Sequence, residues 1–364
     1  MAKHNAANER VKRDYFLWLA QAKGRDTATI DRVAKSLSRF EESTGHKDFK
    51  RLHREQAMAF KRRLGEKVNA RTGEKLSKAT VTSTLREVKA FFEWLAREPG
   101  YRSHTAFADA DYLSPNGKDV AIARASREKA VPTLEQVEAV LAAMPAATAL
   151  DRRDRALVAF AVITAARVDA LRTFRLGNVN LADGYVDQDA RNVATKFAKT
   201  FRTIFMPVSD QALAIVTDWV RELREDHLRG DSDALFPGTA MGLGESGGFQ
   251  PKGLARRGWA STGPVRDGFR RAFAAAGLPY FNPHSFRSML VRHAMTLDLT
   301  PEEMKAWSQN LGHADVLTTF TSYGHVPVHR QAELIRSAKP KAGAELLDDP
   351  DIRALLSKIR NKPA

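Results

Sequence analysis

Apolar residues recur at helical spacing through most of residues 10–98. Ile30, Val33, Leu37 and Phe40 fall on one face of a second helix, and Val81, Leu85, Val88, Phe92 and Leu95 on one face of a fourth. The spacing predicts four helices, with Asp26 and Thr80 at starts and Pro99-Gly100 stopping the last. Residues 101–131 lose this periodicity, carry Pro115-Asn116-Gly117, and read as a linker. Thr133-Leu134-Glu135-Gln136 then has the form of a capping box that opens a helix through Leu141. A further apolar helix, Arg155 to Ala166, leads into Arg167. Gly184 to Val193 and Ile204 to Val208 read as short strands, and the rest of this half as helix, apart from a Gly-rich stretch from Gly238 to Gly263. Near the end, Asp348-Asp349-Pro350-Asp351 is a start signal for a helix with Ile352, Leu355, Leu356 and Ile359 on one side. The expected fold is therefore multidomain: an all-α region over 1–100, a linker over 101–131, a mixed α+β but mainly helical region with a small antiparallel sheet over 132–340, and a tail helix within 341–364.

Charge adds a partner to this outline. Lys and Arg number 58 against 43 Asp and Glu, a formal net charge of +15 in 364 residues. A basic excess of that size on a folded chain points to a polyanion, of which nucleic acid is the commonest. Arg32, Lys35 and Arg39 form a stripe separate from the apolar face of the second helix, and Thr82, Arg86 and Lys89 flank the apolar face of the fourth. Such stripes are ordinarily solvated surface; beside the chemistry described next they are candidate phosphate contacts. There are no cysteines, hence no disulfide and no thiolate metal site. The first residues lack an apolar signal core, and no run approaches the ~18 apolar residues of a membrane span, so a cytoplasmic protein is expected.

Gly242-Leu243-Gly244-Glu245-Ser246-Gly247 matches G-x-G-x-x-G, but it runs into Gly248-Phe249-Gln250-Pro251 instead of opening a helix. A flexible loop closing over DNA with Lys252, Arg256 and Arg257 is expected there.

The candidate chemistry lies in an ordered set: Arg167, His284-x-x-Arg287, Leu311-Gly312-His313, and Tyr323 ten residues after that histidine. Two guanidinium groups can hold two oxygens of one phosphodiester. Histidines exchange protons near neutral pH, and a tyrosine hydroxyl is a nucleophile once assisted. On a helix, His284 and Arg287 would share one face.

These residues sit in strings that resemble the tyrosine recombinases of the phage-integrase family. Thr164-Ala165-Ala166-Arg167 resembles the family's first arginine box, Pro283-His284-Ser285-Phe286-Arg287 its second, and Asn310-Leu311-Gly312-His313 running on to Ser322-Tyr323 its third. The resemblance covers roughly residues 133–330. It implies a helical DNA-clamping domain followed by a catalytic domain, and strand cleavage through a 3′-phosphotyrosyl link on Tyr323. Neither metal nor any other cofactor would be required. It also implies a lysine, between the arginine boxes, that protonates the leaving oxygen. Lys196 is the choice here because it follows the strand ending near Val193-Ala194, and Lys199 is its rival. The family often carries an acid three positions after its first arginine, where this chain has Ala170. The implied partners are double-stranded DNA, other copies of the chain as dimers to tetramers in synapsis, and accessory DNA-bending proteins; the tail would serve contact between protomers. Two alternatives remain open: a type IB-like topoisomerase and a non-catalytic DNA-binding accessory protein.

Overall fold

The computed structural model describes residues 4–70, 72–102, 107–125, 130–244, 247–313, 316–320, 326 and 328–337. Tyr323 and the expected tail helix lie outside the described residues. The chain divides into two compact units, residues 1–127 and 128–364.

The first unit contains the four expected helices: α1 (Ala6–Gln21), α2 (Thr27–Thr44), α3 (Arg54–Glu66) and α4 (Lys78–Leu95). Their apolar faces meet in a core of interlocked rings. Phe40 stands edge-on to Phe60 and Phe92 at 5.0 and 5.1 Å, and Phe49 to Phe91 at 4.9 Å. Asp26 caps α2 as expected, but α4 begins one turn earlier than Thr80, because Ser77 accepts the Thr80 N–H. The stretch expected as a linker carries two more helices of this unit, α5 (Phe107–Asp111) and α6 (Gly117–Arg124). They lack a long apolar face for periodicity to reveal. Buried Ala110 and Leu113 anchor them, with Lys89 bonded to Asp111 at 2.7 Å and Lys78 to Asp119 at 2.9 Å.

The second unit is built around α8 (Ala149–Thr164), whose residues from Ala156 to Thr164 are all buried. A helix apolar on every side must be surrounded. Around it stand α7 (Leu134–Ala143), with its Thr133–Gln136 capping box, α10 (Asp210–Glu225) and α11 (Gly263–Ala275). A three-stranded antiparallel sheet runs in the order β1 (Val179–Asn180), β2 (Tyr185–Gln188), β3 (Phe201–Ile204). The third strand ends where its sequence expectation begins, because Met206 instead bonds back to Ile163 of α8. Short α9 (Val168–Leu171) follows α8, and α12 (Ser285–Ala294), α13 (Pro301–Asn310), α14 (Val316–Thr318) and α15 (Val328–Ser337) complete the unit.

The Gly-rich stretch is not the loop its composition suggests. It forms a hairpin, β4 (Thr239–Leu243) with β5 (Phe249–Leu254). Gly242 and Gly244 have no side chains of their own, and the side chains of Lys252 and Gln250 occupy that space. This glycine use hides the alternation that marks a strand.

Candidate active site

The site forms where three chain segments converge on one buried guanidinium. Helix α8 ends with Ala165 in the left-handed conformation, φ 49°, which a residue bearing a Cβ adopts at a cost of roughly 1–2 kcal/mol. That turn releases the chain into Ala166 and Arg167. The second segment is the start of α12, where Arg287 is 1% exposed. The third is the turn after α13, where Gly312 (φ 69°) allows a sharp reversal into His313.

Arg287 joins the three. Its guanidinium donates to the Ala165 carbonyl at 2.8 Å and to the Leu311 carbonyl, and its Nη2 lies 3.1 Å from Nε2 of His313. The loop bearing Arg167 and the turn bearing His313 are thus fastened to one side chain. His313 is itself buried, with Nδ1 at 2.8 Å from the Thr319 hydroxyl, which bonds in turn to Ser308 at 2.7 Å. Burial, followed by the charges of Arg287, Arg167, Lys199 and His284, holds the His313 pKa down to about 4. Arg287, Arg167 and Lys199 are all cationic, so the site has the electrostatics of an anion receptor.

Several expected residues fall into this arrangement, and several do not. Arg167 caps α9, half-buried, with its side chain outside any hydrogen bond among the described residues. His284 is the N-cap residue of α12, with helical backbone angles; its carbonyl accepts the Arg287 N–H at 3.2 Å one turn on, and its side chain is exposed. Asp169, one place before the acid position of the family, pairs with Arg172 at 3.0 Å.

Of the two lysines, Lys199 lines the cleft that holds His313, together with Thr200, Phe201, Asn310 and Gly312. Lys196 instead lies against the exposed ring of Phe197, 4.8 Å from its centroid. The connection bearing both is tied down at its base, where Ala194 donates to the Thr173 hydroxyl at 2.9 Å.

Of the candidate DNA contacts, Lys35, Arg86, Lys252, Arg256 and Arg257 are exposed. Thr82 is buried, which removes it from any surface, because it lies on the core side of α4. Arg32 pairs with Glu87 at 2.6 Å, Arg39 donates to Thr84 at 3.0 Å, and Lys89 holds Asp111. These three brace the first unit, whatever else they contact. Arg256 and Arg257 line a cleft with Arg172, Arg175 and Trp259 in the second unit. Among the described residues no group of His, Asp and Glu has the arrangement of a metal site, and no helix is long and apolar enough to cross a membrane.

Sequence reading missed the contacts of Thr319 and Asn310. Thr319 belongs to a Thr-Thr pair shortly after His313, a signal that was visible but had no assigned role. Asn310 opens the third box, but nothing in the sequence shows its contact with Ile204.

The tyrosine recombinase XerC of Xylella fastidiosa is 25% identical over 341 residues, covering 92% of this chain and 98% of that protein. A tyrosine recombinase XerD of Neisseria meningitidis serogroup A is 27% identical over 204 residues, 55% of this chain and 60% of that protein. Among solved structures, the XerH site-specific recombinase bound to a palindromic difH substrate superposes with a TM-score of 0.60 at 16% identity, covering 87% of this chain and 81% of that one. A lambda integrase dimer bound to a COC′ core site gives 0.56 at 16% identity, with 87% and 95% covered. At such identities the superpositions speak for the fold alone. The family assignment rests on residues 131–330, which match the phage integrase profile and contain Arg167, Lys199, His284, Arg287, His313 and Tyr323. The chain belongs to the phage integrase family.

Proposed function

We propose that this protein is a tyrosine-type site-specific recombinase that cleaves and rejoins duplex DNA through a 3′-phosphotyrosyl intermediate on Tyr323. The observation that carries the reading is the set of cationic side chains, Arg287, Arg167 and Lys199, acting together on the buried His313. An anion with several oxygens answers that arrangement, and a phosphodiester is the anion that a basic protein of this family meets.

In this scheme the Tyr323 oxygen attacks phosphorus, with His284, as a neutral imidazole, taking the phenolic proton. The bond from phosphorus to the 5′-oxygen breaks as the tyrosyl bond forms. Arg167 and Arg287 stabilise the charge that builds on the non-bridging oxygens, the largest contribution available in such a site. Lys199 supplies the proton to the departing 5′-oxygen; its place in the His313 cleft favours it over Lys196. A 5′-hydroxyl of another strand reverses the sequence and rejoins the DNA.

Recombination is favoured over simple strand relaxation by the relatives, which are named as recombinases or integrases, one as a dimer on its core site and one as a tetramer on a Holliday junction. Assembly of this chain into dimers and tetramers on DNA is part of the proposal. Nicked suicide duplexes drawn from a randomised pool test it: the protein should become covalently attached to a subset. Binding without attachment would leave a DNA-binding accessory protein as the better account.

A further inference from the structure

The edge of the small sheet is occupied by a side chain. β3 is the outer strand, so its outward backbone groups would otherwise face solvent. At Ile204 they meet Asn310, the last residue of α13. The Asn310 side-chain oxygen accepts the Ile204 N–H at 2.6 Å, and its NH2 donates to the Ile204 carbonyl at 2.8 Å. The amide thus pairs as a neighbouring strand residue would.

Two more contacts align the same elements. The Thr203 hydroxyl, fully buried, donates to the Asn310 carbonyl at 3.0 Å and accepts from Gln188 at 2.9 Å. Gly312 lies against Phe201 so closely that a Cβ there would come within 2.5 Å of the ring. Asn310 to Gly312 is therefore registered along Phe201 to Ile204. Lys199 stands two residues before that run, and His313 directly follows its partner. Both reach the same cleft.

We propose that Asn310 is a positioning residue for strand cleavage: its amide clamp on Ile204 fixes the lysine-bearing connection relative to the His313 turn, and so sets Lys199 against the leaving 5′-oxygen. The proposal rests on the recombinase reading given above. Asparagine suits the task because it offers one donor and one acceptor side by side on a short stem; aspartate offers acceptors only, and alanine neither.

The test uses the full chain and a nicked duplex chosen from a randomised pool by covalent capture with the wild-type protein. The same duplex is also made with sulfur in place of the scissile 5′-bridging oxygen. A thiolate leaves without needing a proton, so it bypasses a misplaced general acid. Asn310→Ala should cut the oxygen duplex more slowly by about tenfold or more, a fraction of what general-acid catalysis supplies. It should bind that duplex as the wild type does, and cut the sulfur duplex at nearly the wild-type rate. The Ile204 amide should exchange its hydrogen faster than in the wild type. Asn310→Asp, which keeps the bond from the Ile204 N–H but sets a carboxylate oxygen against the Ile204 carbonyl, should show the same split between the two duplexes. Equal losses on both duplexes would mark a general structural defect and overturn the proposal, as would wild-type cutting of the oxygen duplex. An absence of any adduct with the wild type would reject the recombinase reading itself, and this proposal with it.

Discussion

The Arg287 guanidinium lies 3.1 Å from Nε2 of His313, and that contact fixes the state of the histidine. Arginine only donates, so Nε2 accepts and the ring proton sits on Nδ1. Nδ1–H then donates to Thr319, whose own hydroxyl hydrogen goes to Ser308. The histidine is a neutral ring held at both nitrogens, which agrees with its lowered pKa. In the proposed mechanism a phosphate oxygen would compete for the same guanidinium edge.

Replacing Arg287 by lysine should therefore fail even though charge is retained. An ammonium cannot span the carbonyls of Ala165 and Leu311 while also reaching His313. Cleavage should fall by about a hundredfold, the scale of losing one fixed donor to a transition-state oxyanion, while DNA binding is largely kept. Gel-shift and suicide-cleavage assays on one duplex separate the two effects; near-normal cleavage by Arg287→Lys would contradict the role.

The two lysines should separate on a 5′-bridging sulfur duplex. Lys199→Ala should lose cleavage of the ordinary duplex and regain it on the sulfur duplex, because the thiolate needs no proton. Lys196→Ala should stay close to wild type on both, its ammonium resting against Phe197. The reverse pattern would return the proton donor to Lys196.

His313 gives the free protein a signature in pH. Its pKa is about 4 when folded against an ordinary 6.5, so between those values the unfolded chain binds the extra proton. The contribution is present in full above about 6.5 and is lost as pH falls toward 4. Urea denaturation of the wild type and of His313→Gln across that window should show the wild-type advantage shrinking as the solution becomes acidic. A constant difference would show that His313 is not held neutral by the fold.

Gly312→Ala should damage both stability and cleavage. Its φ of 69° disfavours a side chain, and the added methyl would drive into the Phe201 ring. Thermal melting should fall, and Phe201→Ala in the same chain should recover part of the loss. A single Gly312→Ala variant as stable as the wild type would argue that the turn relaxes freely.

Much of this was legible in the sequence. The helices of the first unit follow from Leu37, Phe40, Val88 and Phe92 at helical spacing, because burial on one face leaves a periodic trace. The Thr133 capping box is equally local. The helices between residues 107 and 124 were not legible, since their attachment depends on Lys89 and Lys78 reaching acids far along the chain. The hairpin at 239–254 was masked by glycines that make room for cross-strand side chains. Within the site, residue types and order pointed to Arg287 and His313. The choice between Lys196 and Lys199 turns on a turn geometry, with Phe197 and Ala198 both at positive φ, that no spacing rule encodes. Asn310 lies further still from local pattern, because its partner Ile204 is 106 residues away.

A covalent bond between DNA and one tyrosine can be read by isolating the protein–DNA adduct from a suicide duplex and sequencing the attached peptide. The expected result is a 3′-phosphate ester on Tyr323, formed in excess EDTA, and its complete loss in Tyr323→Phe with DNA binding retained. An adduct that persists in Tyr323→Phe, or maps to another residue such as Tyr280 or Tyr185, would contradict it.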